Sequence, residues 1–240
     1  MRLAMMNWRQ VEAHLKKRQT LIIPAGSTEQ HGPNGLLGTD YLIAEAIANA
    51  VGERTRTPVH PPLTVGMSQH HLAFPGSSSL TCATYMEVLN ELIESQARHG
   101  FRRFFFINGH GGNTPSATAA VSDLVTRRPD LDWAWHSWWE DPRGKELEDK
   151  LFGDRNGDHA SAAEISITHH LFPGRIERIG PLEVERPAFH WPLSPEKFRA
   201  TFPDGRMMSD PSLADDVKGR KLFELCVMIF CEELVKFEAG

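Results

Sequence analysis

One short run of sequence restricts the possible folds more than any other part of the chain. The four apolar residues from Phe104 to Ile107 predict a buried strand, and a polar, glycine-rich loop from Asn108 to Asn113 follows it directly. A helical pattern then extends from about Thr114 to Thr126. This β-loop-α unit is typical of α/β proteins, and its glycines permit tight turns and close approach of a ligand.

Strands and helices alternate along the rest of the chain. Further strands are predicted at residues 20–24, 58–65 and 131–135. Helices are predicted at residues 8–15, 41–51, 84–99, about 160–171 and 212–237, whereas the proline-rich stretch 181–211 is expected to be irregular. We therefore expect an α/β fold in a single domain over residues 1–240, with a mostly parallel sheet flanked by helices on both faces.

Three helix ends carry explicit signals. Asn7 is a candidate N-cap for a helix whose apolar face begins at Trp8. The pattern Thr84-x-x-Glu87 resembles a capping box, and Gly100 is a candidate stop for the same helix.

Composition places the chain among ordinary globular proteins. It has 40% hydrophobic and 24% charged residues, which allows a sizeable core, and its apolar stretches are too short to cross a bilayer. Residues 1–7 contain no apolar signal segment, so we expect a cytoplasmic protein without a membrane partner. The net charge of -5 and the lack of long basic runs also argue against nucleic acid as a partner.

The three cysteines do not indicate a disulfide framework or a thiolate zinc site. Cys82, Cys226 and Cys231 are odd in number and lie far in sequence from the acidic and histidine residues discussed below. We interpret them as small core residues.

Acidic and histidine side chains follow the first predicted strand. Glu29 and His31 are two residues apart, so both can point the same way in an extended segment, and Asp40 stands at the start of the next apolar-periodic run. Open α/β proteins place catalytic ligands at the carboxyl ends of strands, so these residues form a candidate metal site. Asp40 is equally acceptable as the N-cap of the helix that follows it.

Several separated motifs resemble, in order, those of the creatininase (creatinine amidohydrolase) family, over residues 20 to 220. The motifs are residues 24–32 with Gly38-Thr39-Asp40, His70-His71-x-x-Phe74-Pro75-Gly76, residues 108–113, His159-Ala160-x-x-x-Glu164 and Asp210-Pro211-x-x-Ala214. The resemblance implies a creatininase-like fold, a homo-oligomer (a hexamer in the family) and a centre of two divalent metal ions.

By this resemblance, Asp40 bridges the two ions, Glu29 and His110 complete the protein ligands of one ion, and His31 and Glu164 complete those of the other. Carboxylates and imidazoles without thiolates suit zinc, manganese or iron, and the sequence does not choose among these metals.

The implied reaction is hydrolysis of a C–N bond in a small molecule (an amide, cyclic amide or formamide) by a metal-activated water. His159 resembles the proton-donating histidine of the family, with Asp158 beside it to influence its pKa, and Glu164 joins it in the catalytic group. A peptide-trimming hydrolase and a non-catalytic metal-binding scaffold are the alternatives. A complete ligand set accompanied by a proton donor favours the enzyme.

One position departs from creatininase proper, which has a carboxylate two residues after the equivalent of His110. This chain has Gly112 there, so its motif reads His-Gly-Gly-Asn, and Glu164 is the natural substitute ligand. We therefore expect a branch of the family with a substrate other than creatinine.

A cluster of tryptophans is a candidate for substrate binding. Trp133 and Trp135 share one face of a predicted strand, so Trp138 and Trp139 are the better candidates for a lid that stacks on the substrate. Packing in the core or at a subunit interface is the alternative. His70 is a further candidate for the site, although a structural hydrogen-bonding role is as acceptable for it.

Two other functional classes are disfavoured. The glycines from Gly109 to Gly112 fit neither the dinucleotide-binding nor the P-loop spacing. Ser27, Ser68 and the serines at 77–79 lie outside a Gly-x-Ser-x-Gly elbow, so a serine hydrolase is disfavoured, and its signature would be insensitivity to chelation.

Overall fold

Three parallel strands form the centre of the fold: β1 (Thr20–Ala25), β2 (Arg103–Asn108) and β3 (Asp132–Ser137). In the computed structural model, which describes residues 1–240, they lie side by side in that order. The surrounding helices are α1 (Trp8–Leu15), α2 (Thr39–Thr55), α3 (Cys82–His99), α4 (Asn113–Arg127), α5 (Pro142–Phe152), α6 (Ala162–Leu171), α7 (Pro195–Thr201) and α8 (Asp216–Ala239). None of the helices combines the length and the apolarity that a bilayer-spanning segment needs.

The two faces of the sheet carry separate apolar cores. Side chains alternate along a strand, so Leu21 and Phe104 face one way and Ile22 and Phe105 face the other. The first pair packs with α3 and α4, and the second pair packs with α2, α6 and α8. Every residue of β1 is buried, which explains its continuous apolar sequence. The expected α/β fold, a parallel sheet with helices on both faces, is confirmed.

The prediction of a continuous strand at residues 58–65 is wrong in detail. This segment runs parallel to β1 but contacts it only through isolated bridges at Val59 and Leu63. Pro61 and Pro62 lie between these bridges and have no N–H to donate, so a continuous ladder cannot form.

The helix-end predictions have mixed outcomes. Asn7 caps α1 as expected and forms a capping box with Gln10. The capping box predicted at Thr84 is wrong, because α3 begins at Cys82 and the hydroxyl of Thr81 accepts the N–H of Thr84 at 3.2 Å. Gly100 ends α3 as expected, with a φ of 113° that favours glycine.

Other departures concern exposure and short helices. Trp8 is 68% exposed, so the apolar face of α1 does not bury it. Cys226 is buried in the core and Cys231 is half-buried, but the expected core position is wrong for Cys82, which is exposed.

Two helices were not predicted. Helix α5 is mostly charged, and α7 lies in the proline-rich stretch expected to be irregular. Both have a capping side chain, from Asp141 and Ser194, followed by proline at the first helical position.

Candidate metal centre

The candidate site lies where β1, β2 and the start of α2 meet. Two glycines allow this close approach. A Cβ atom on Gly26 would lie 2.3 Å from the Tyr41 nitrogen, and one on Gly109 would lie 2.1 Å from the Asp40 carbonyl oxygen. The first turn of α2 can therefore pack directly against the carboxyl ends of both strands, where the loops carrying the other candidates begin.

Asp40 is not the N-cap of α2. Gly38 occupies that position without a side-chain bond, and Asp40 lies in the first turn, where a carboxylate interacts favourably with the helix dipole. Its side chain is buried, with Oδ1 2.9 Å from His31 Nε2 and Oδ2 3.2 Å from His110 Nδ1.

The structure brings all five predicted ligands together. Glu29, Asp40 and His110 form one group whose ligand atoms lie within 4.8 Å of one another, and His31, Asp40 and Glu164 form a second. Asp40 belongs to both groups, in the position of a bridging carboxylate. His159 forms a third group with Glu29 and His31.

Backbone carbonyls orient the two imidazoles. Nδ1 of His31 donates to the Glu29 carbonyl at 3.1 Å, which leaves Nε2 facing Asp40. Nε2 of His110 donates to the Met67 carbonyl at 3.1 Å, which leaves Nδ1 facing Glu29 and Asp40. When each ring is neutral, the nitrogen that faces the carboxylates carries the lone pair, as a metal ligand requires.

Two buried carboxylate oxygens have no hydrogen-bond partner, Oε1 of Glu29 and Oδ2 of Asp40. Nitrogens of His71 and His110, respectively, lie 3.2 Å from them but do not have hydrogen-bond geometry. A buried acceptor left unpaired costs about 1–3 kcal/mol, and more when it is charged. Cations satisfy such oxygens, so the donor set fits divalent metal ions.

The electrostatics of the metal-free centre also favour positive charge. Burial opposes charge on His31, but the Asp40 carboxylate outweighs it and raises the pKa of His31 to about 10. Burial likewise opposes charge on Glu29, but His110 and His71 outweigh it and hold its pKa well below the usual value. Cations and protons therefore compete for the same atoms.

Glu164 is held by the start of α6. Its Oε2 accepts the Ser161 N–H at 2.8 Å, and the Ser161 hydroxyl accepts the Glu164 N–H at 3.1 Å, which together form a capping box. One carboxylate oxygen is thus fixed by the helix cap. Burial raises the pKa of Glu164.

Gly112 has no room for a side chain. A Cβ atom there would lie 2.5 Å from His110 Nε2 and 2.5 Å from the Met67 carbonyl oxygen, the two atoms that bond each other. The position at which creatininase proper has a carboxylate is therefore closed by the orientation of His110.

His159 lies beside the ligand groups, with Nδ1 3.7 Å from Glu29 Oε1. Its Nε2 donates to the Gln30 carbonyl at 2.8 Å. Burial, followed by the nearby His71 and His31, lowers the pKa of His159 well below its usual value. The expected influence of Asp158 is not found, because that side chain is exposed and forms no ion pair or hydrogen bond with His159.

Three residues that the sequence analysis did not assign to the centre, Gln30, His71 and Ser68, contact its ligands and histidines. The Gln30 amide donates to Nδ1 of His71 at 2.9 Å and to the Gly205 carbonyl at 2.8 Å. The Ser68 hydroxyl donates to Oε2 of Glu29. Gln30 and His71 lie inside the quoted motifs, which was the available signal, whereas Ser68 stands just outside one.

A cleft of about 980 Å³ opens above these groups. The predicted substrate-binding residues Trp138, Trp139 and His70 all line it, whereas Trp133 and Trp135 pack against the core on the α3 and α4 face. Trp138 is buried in the core on the other face, so only Trp139 offers a partly exposed indole. The stacking lid stays a prediction.

Comparison with known proteins gives a consistent result. The creatininase family, described as creatinine amidohydrolase, matches residues 4–234. The mycofactocin precursor peptide peptidase of Mycobacterium ulcerans is 31% identical over 218 residues, covering 85% of this chain and 80% of the relative. The creatinine amidohydrolase of Pseudomonas putida is 26% identical over 242 residues, covering 92% and 91%.

Solved structures show the same fold. The structure described as creatininase Mn has a TM-score of 0.83 and 25% identity, covering 98% of this chain and 97% of that chain. A mutant creatininase of Zn-Zn type has a TM-score of 0.84 and 24% identity, with the same coverage. This chain therefore belongs to the creatininase family of hydrolases.

Proposed function

We propose that this protein, as one domain over residues 1–240, is a metal-dependent amidohydrolase that hydrolyses an amide, cyclic amide or formamide C–N bond in a small molecule. The observation that supports this most directly is the convergence of two ligand groups on Asp40. The unpaired oxygens of Glu29 and Asp40 support the proposal too, because a bound cation would satisfy these buried acceptors.

The residues divide between two ions. Glu29 and His110 would hold one ion, His31 and Glu164 would hold the other, and Asp40 would bridge them. Nitrogen and oxygen donors without thiolate suit zinc, manganese or iron, and creatininase structures are described with Zn and Mn. When bound, such cations polarise a carbonyl and make water nucleophilic at neutral pH.

The chain itself supplies orientation and proton transfer. Nε2 of His159 donates to the Gln30 carbonyl, which leaves Nδ1 unprotonated, so that it would take a proton from the attacking water and pass it to the departing nitrogen. The capping box of Ser161 fixes one oxygen of Glu164, so its carboxylate enters the centre in a set orientation. His159 is buried and Glu164 is half-buried at the floor of the cleft.

The lack of space for a side chain at Gly112 supports a substrate other than creatinine. A side chain there would displace His110 or the Met67 carbonyl, so the carboxylate of creatininase proper has no counterpart at this position. The wall of the cleft beside the metal centre therefore differs in charge and shape from that enzyme.

Peptide trimming is the second candidate. Relatives named mycofactocin precursor peptide peptidase support it. The cleft volume of about 980 Å³ also lies near the upper end of the roughly 300–1,000 Å³ common for small-molecule sites, so a short peptide segment would fit.

We further infer a cytoplasmic homo-oligomer, a hexamer by resemblance to the family. Met5 and Trp8 are strongly exposed apolar side chains near the N-terminus and are available for subunit contact. Light scattering coupled to size-exclusion should give a mass well above the 27.0 kDa of one chain. A monomeric mass would contradict this inference.

The decisive assay uses metal-loaded protein against cyclic ureides, formamidopyrimidines, lactams and short peptides. We expect turnover of one class, loss of that turnover on chelation, and loss in the Glu29→Gln variant. Glu146→Gln is the matched control, since Glu146 is an exposed carboxylate that pairs with Lys150 outside the cleft. Turnover that survives both chelation and Glu29→Gln would refute the proposal, and bound metal without any turnover would favour the scaffold.

A further inference from the structure

A segment without helix or strand forms one wall of the cleft. We call residues 177–194 the strap. The Arg206 side chain donates to the Glu183 carbonyl at 2.9 Å, and the Arg186 side chain donates to the Asp154 carbonyl at 2.7 Å. The strap is therefore bound to the body of the protein at residues 183 and 186. It contributes Arg186, Phe189, Trp191, Pro192 and Leu193 to the lining of the cleft.

Trp191 is the most exposed aromatic side chain in this wall. Its side chain is 52% exposed, yet its indole is held on three sides by other rings. The ring of His70 lies 5.0 Å away in a T-shaped arrangement, Phe189 lies 5.6 Å away at 90°, and Phe198 stacks at 6.4 Å. A half-exposed tryptophan that is rigidly supported inside a cleft presents a flat apolar surface at little further entropic cost.

The rings around Trp191 are uncharged, and Arg186, the charged residue that the strap adds to the cleft, donates to the Asp154 carbonyl. Burial, followed by the charge of His71, lowers the pKa of His70 to about 3, so His70 is neutral at pH 7. The rings of His70 and His71 lie 4.1 Å apart, and Nε2 of His71 lies 3.2 Å from Glu29. Two imidazoles, those of His70 and His71, therefore connect Trp191 to the first ligand group.

We propose that Trp191, supported by His70, is a specificity-determining residue that stacks on a planar or aromatic group next to the scissile C–N bond. This inference rests on the proposed metal-dependent function, because the metal centre is what brings the bond into the cleft. The occupant follows from the geometry: the exposed indole is flat and apolar, its neighbouring rings are uncharged, and it faces the same cleft as the ligand groups.

A pair of hydroxamates distinguishes binding to the metal centre from binding to the aromatic wall. Acetohydroxamate and benzohydroxamate carry the same metal-binding group and differ in the phenyl ring. Calorimetry on the full-length, metal-loaded protein should show benzohydroxamate binding about tenfold more tightly, the size expected for a supported aromatic contact with its buried area. Trp191→Ala should remove most of this preference and leave the Kd of acetohydroxamate unchanged.

Further variants distinguish stacking from general packing. Trp191→Phe should retain most of the preference, whereas Trp191→Leu should lose it, because leucine keeps apolar area without a ring. Trp8→Ala is the matched control, since Trp8 is 68% exposed outside the cleft, and it should leave both Kd values unchanged.

Four outcomes would overturn the inference. Equal affinity of the wild type for both hydroxamates, or an undiminished preference in both Trp191→Ala and Trp191→Leu, would show that Trp191 does not contact the ring. A fall in oligomeric mass in Trp191→Ala with the preference intact would identify a subunit contact instead. Failure of both hydroxamates to bind would contradict the metal-dependent function, and the inference would fall with it.

Discussion

The candidate ligands depend on neighbours that fix one end of each side chain. Backbone carbonyls accept hydrogen bonds from Nδ1 of His31 and from Nε2 of His110. Each ring therefore turns its other nitrogen toward the carboxylates. The Ser161 cap does the same for Glu164 by binding one carboxylate oxygen. Such supporting contacts typically change metal affinity by about 10–100-fold when they are removed.

The contact between Ser161 and Glu164 makes a specific prediction. Ser161→Ala should lower the free energy of unfolding by about 1 kcal/mol through the lost helix cap. It should also weaken the retention of one metal ion about tenfold, because the turn of α6 that carries Glu164 loosens when the hydroxyl no longer accepts the Glu164 N–H. Urea denaturation and competition with a chelator measure the two effects.

Thr81→Ala provides the control, since Thr81 caps α3 through the same kind of bond without contributing to a ligand group. It should show the stability loss alone. Equal metal retention in the two variants would contradict the role assigned to Ser161.

Glu148 on α5 gives a pH-dependent prediction. Burial, followed by the charge of Glu164, raises the pKa of Glu148 to about 7 in the folded protein. A carboxyl with a raised folded pKa contributes stability at low pH, and this contribution is lost as the pH rises through about 7. Glu148→Gln should therefore gain stability relative to the wild type between pH 5 and pH 8.

Urea denaturation of the metal-free protein at pH 5 and at pH 8 tests this prediction for Glu148. Glu146→Gln is the exposed control on the same helix. A difference between wild type and Glu148→Gln that does not change with pH would show that Glu148 titrates normally.

At the scale of secondary-structure elements, the junction of α2 with the strand ends creates the centre. Gly26 lies on the β1 side of this junction and Gly109 on the β2 side. Each contacts the first turn of α2, because a glycine has no Cβ atom to keep the helix away. Because Asp40 lies in that turn, the depth of the junction sets the position of the shared carboxylate.

Gly109→Ala tests the junction. The added Cβ would lie 2.1 Å from the Asp40 carbonyl oxygen, so α2 must move away from β2. We expect a loss of about 1–3 kcal/mol in the free energy of unfolding, together with reduced metal content. Denaturation and elemental analysis measure these quantities.

Gly144→Ala is the matched control, because a Cβ there meets no atom within 4 Å and the site lies inside a helix. It should be neutral or stabilising. A Gly109→Ala variant with normal stability and full metal content would contradict the account of the junction.

The sequence allowed most elements of the sheet and its helices to be predicted, because buried strands carry continuous apolar runs and helices carry periodic ones. It failed for α5, whose residues are mostly charged, and for α7, which lies in the proline-rich stretch. At Asp40 the sequence left two interpretations, an N-cap and a metal ligand, because a carboxylate at the start of a helix suits either. The backbone of α2 decided between them.

At the scale of the whole molecule, the family resemblance predicts the ligand set but not the substrate. Glu29, His31, Asp40, His110 and Glu164 were all named from motifs and all converge in the structure. The walls of the cleft come partly from the strap, which has no periodicity and therefore gave no signal in the sequence. Substrate choice depends on such segments, whereas the fold and the metal chemistry depend on the strand ends.

The central claim is a two-metal centre that shares Asp40, and metal stoichiometry in matched variants tests it most directly. Elemental analysis after exhaustive dialysis should find about two divalent ions per chain in the wild type. Glu164→Gln should retain about one ion, and Asp40→Asn should retain neither, because Asp40 belongs to both ligand groups. A wild type without bound metal, or an Asp40→Asn variant that keeps both ions, would contradict the account.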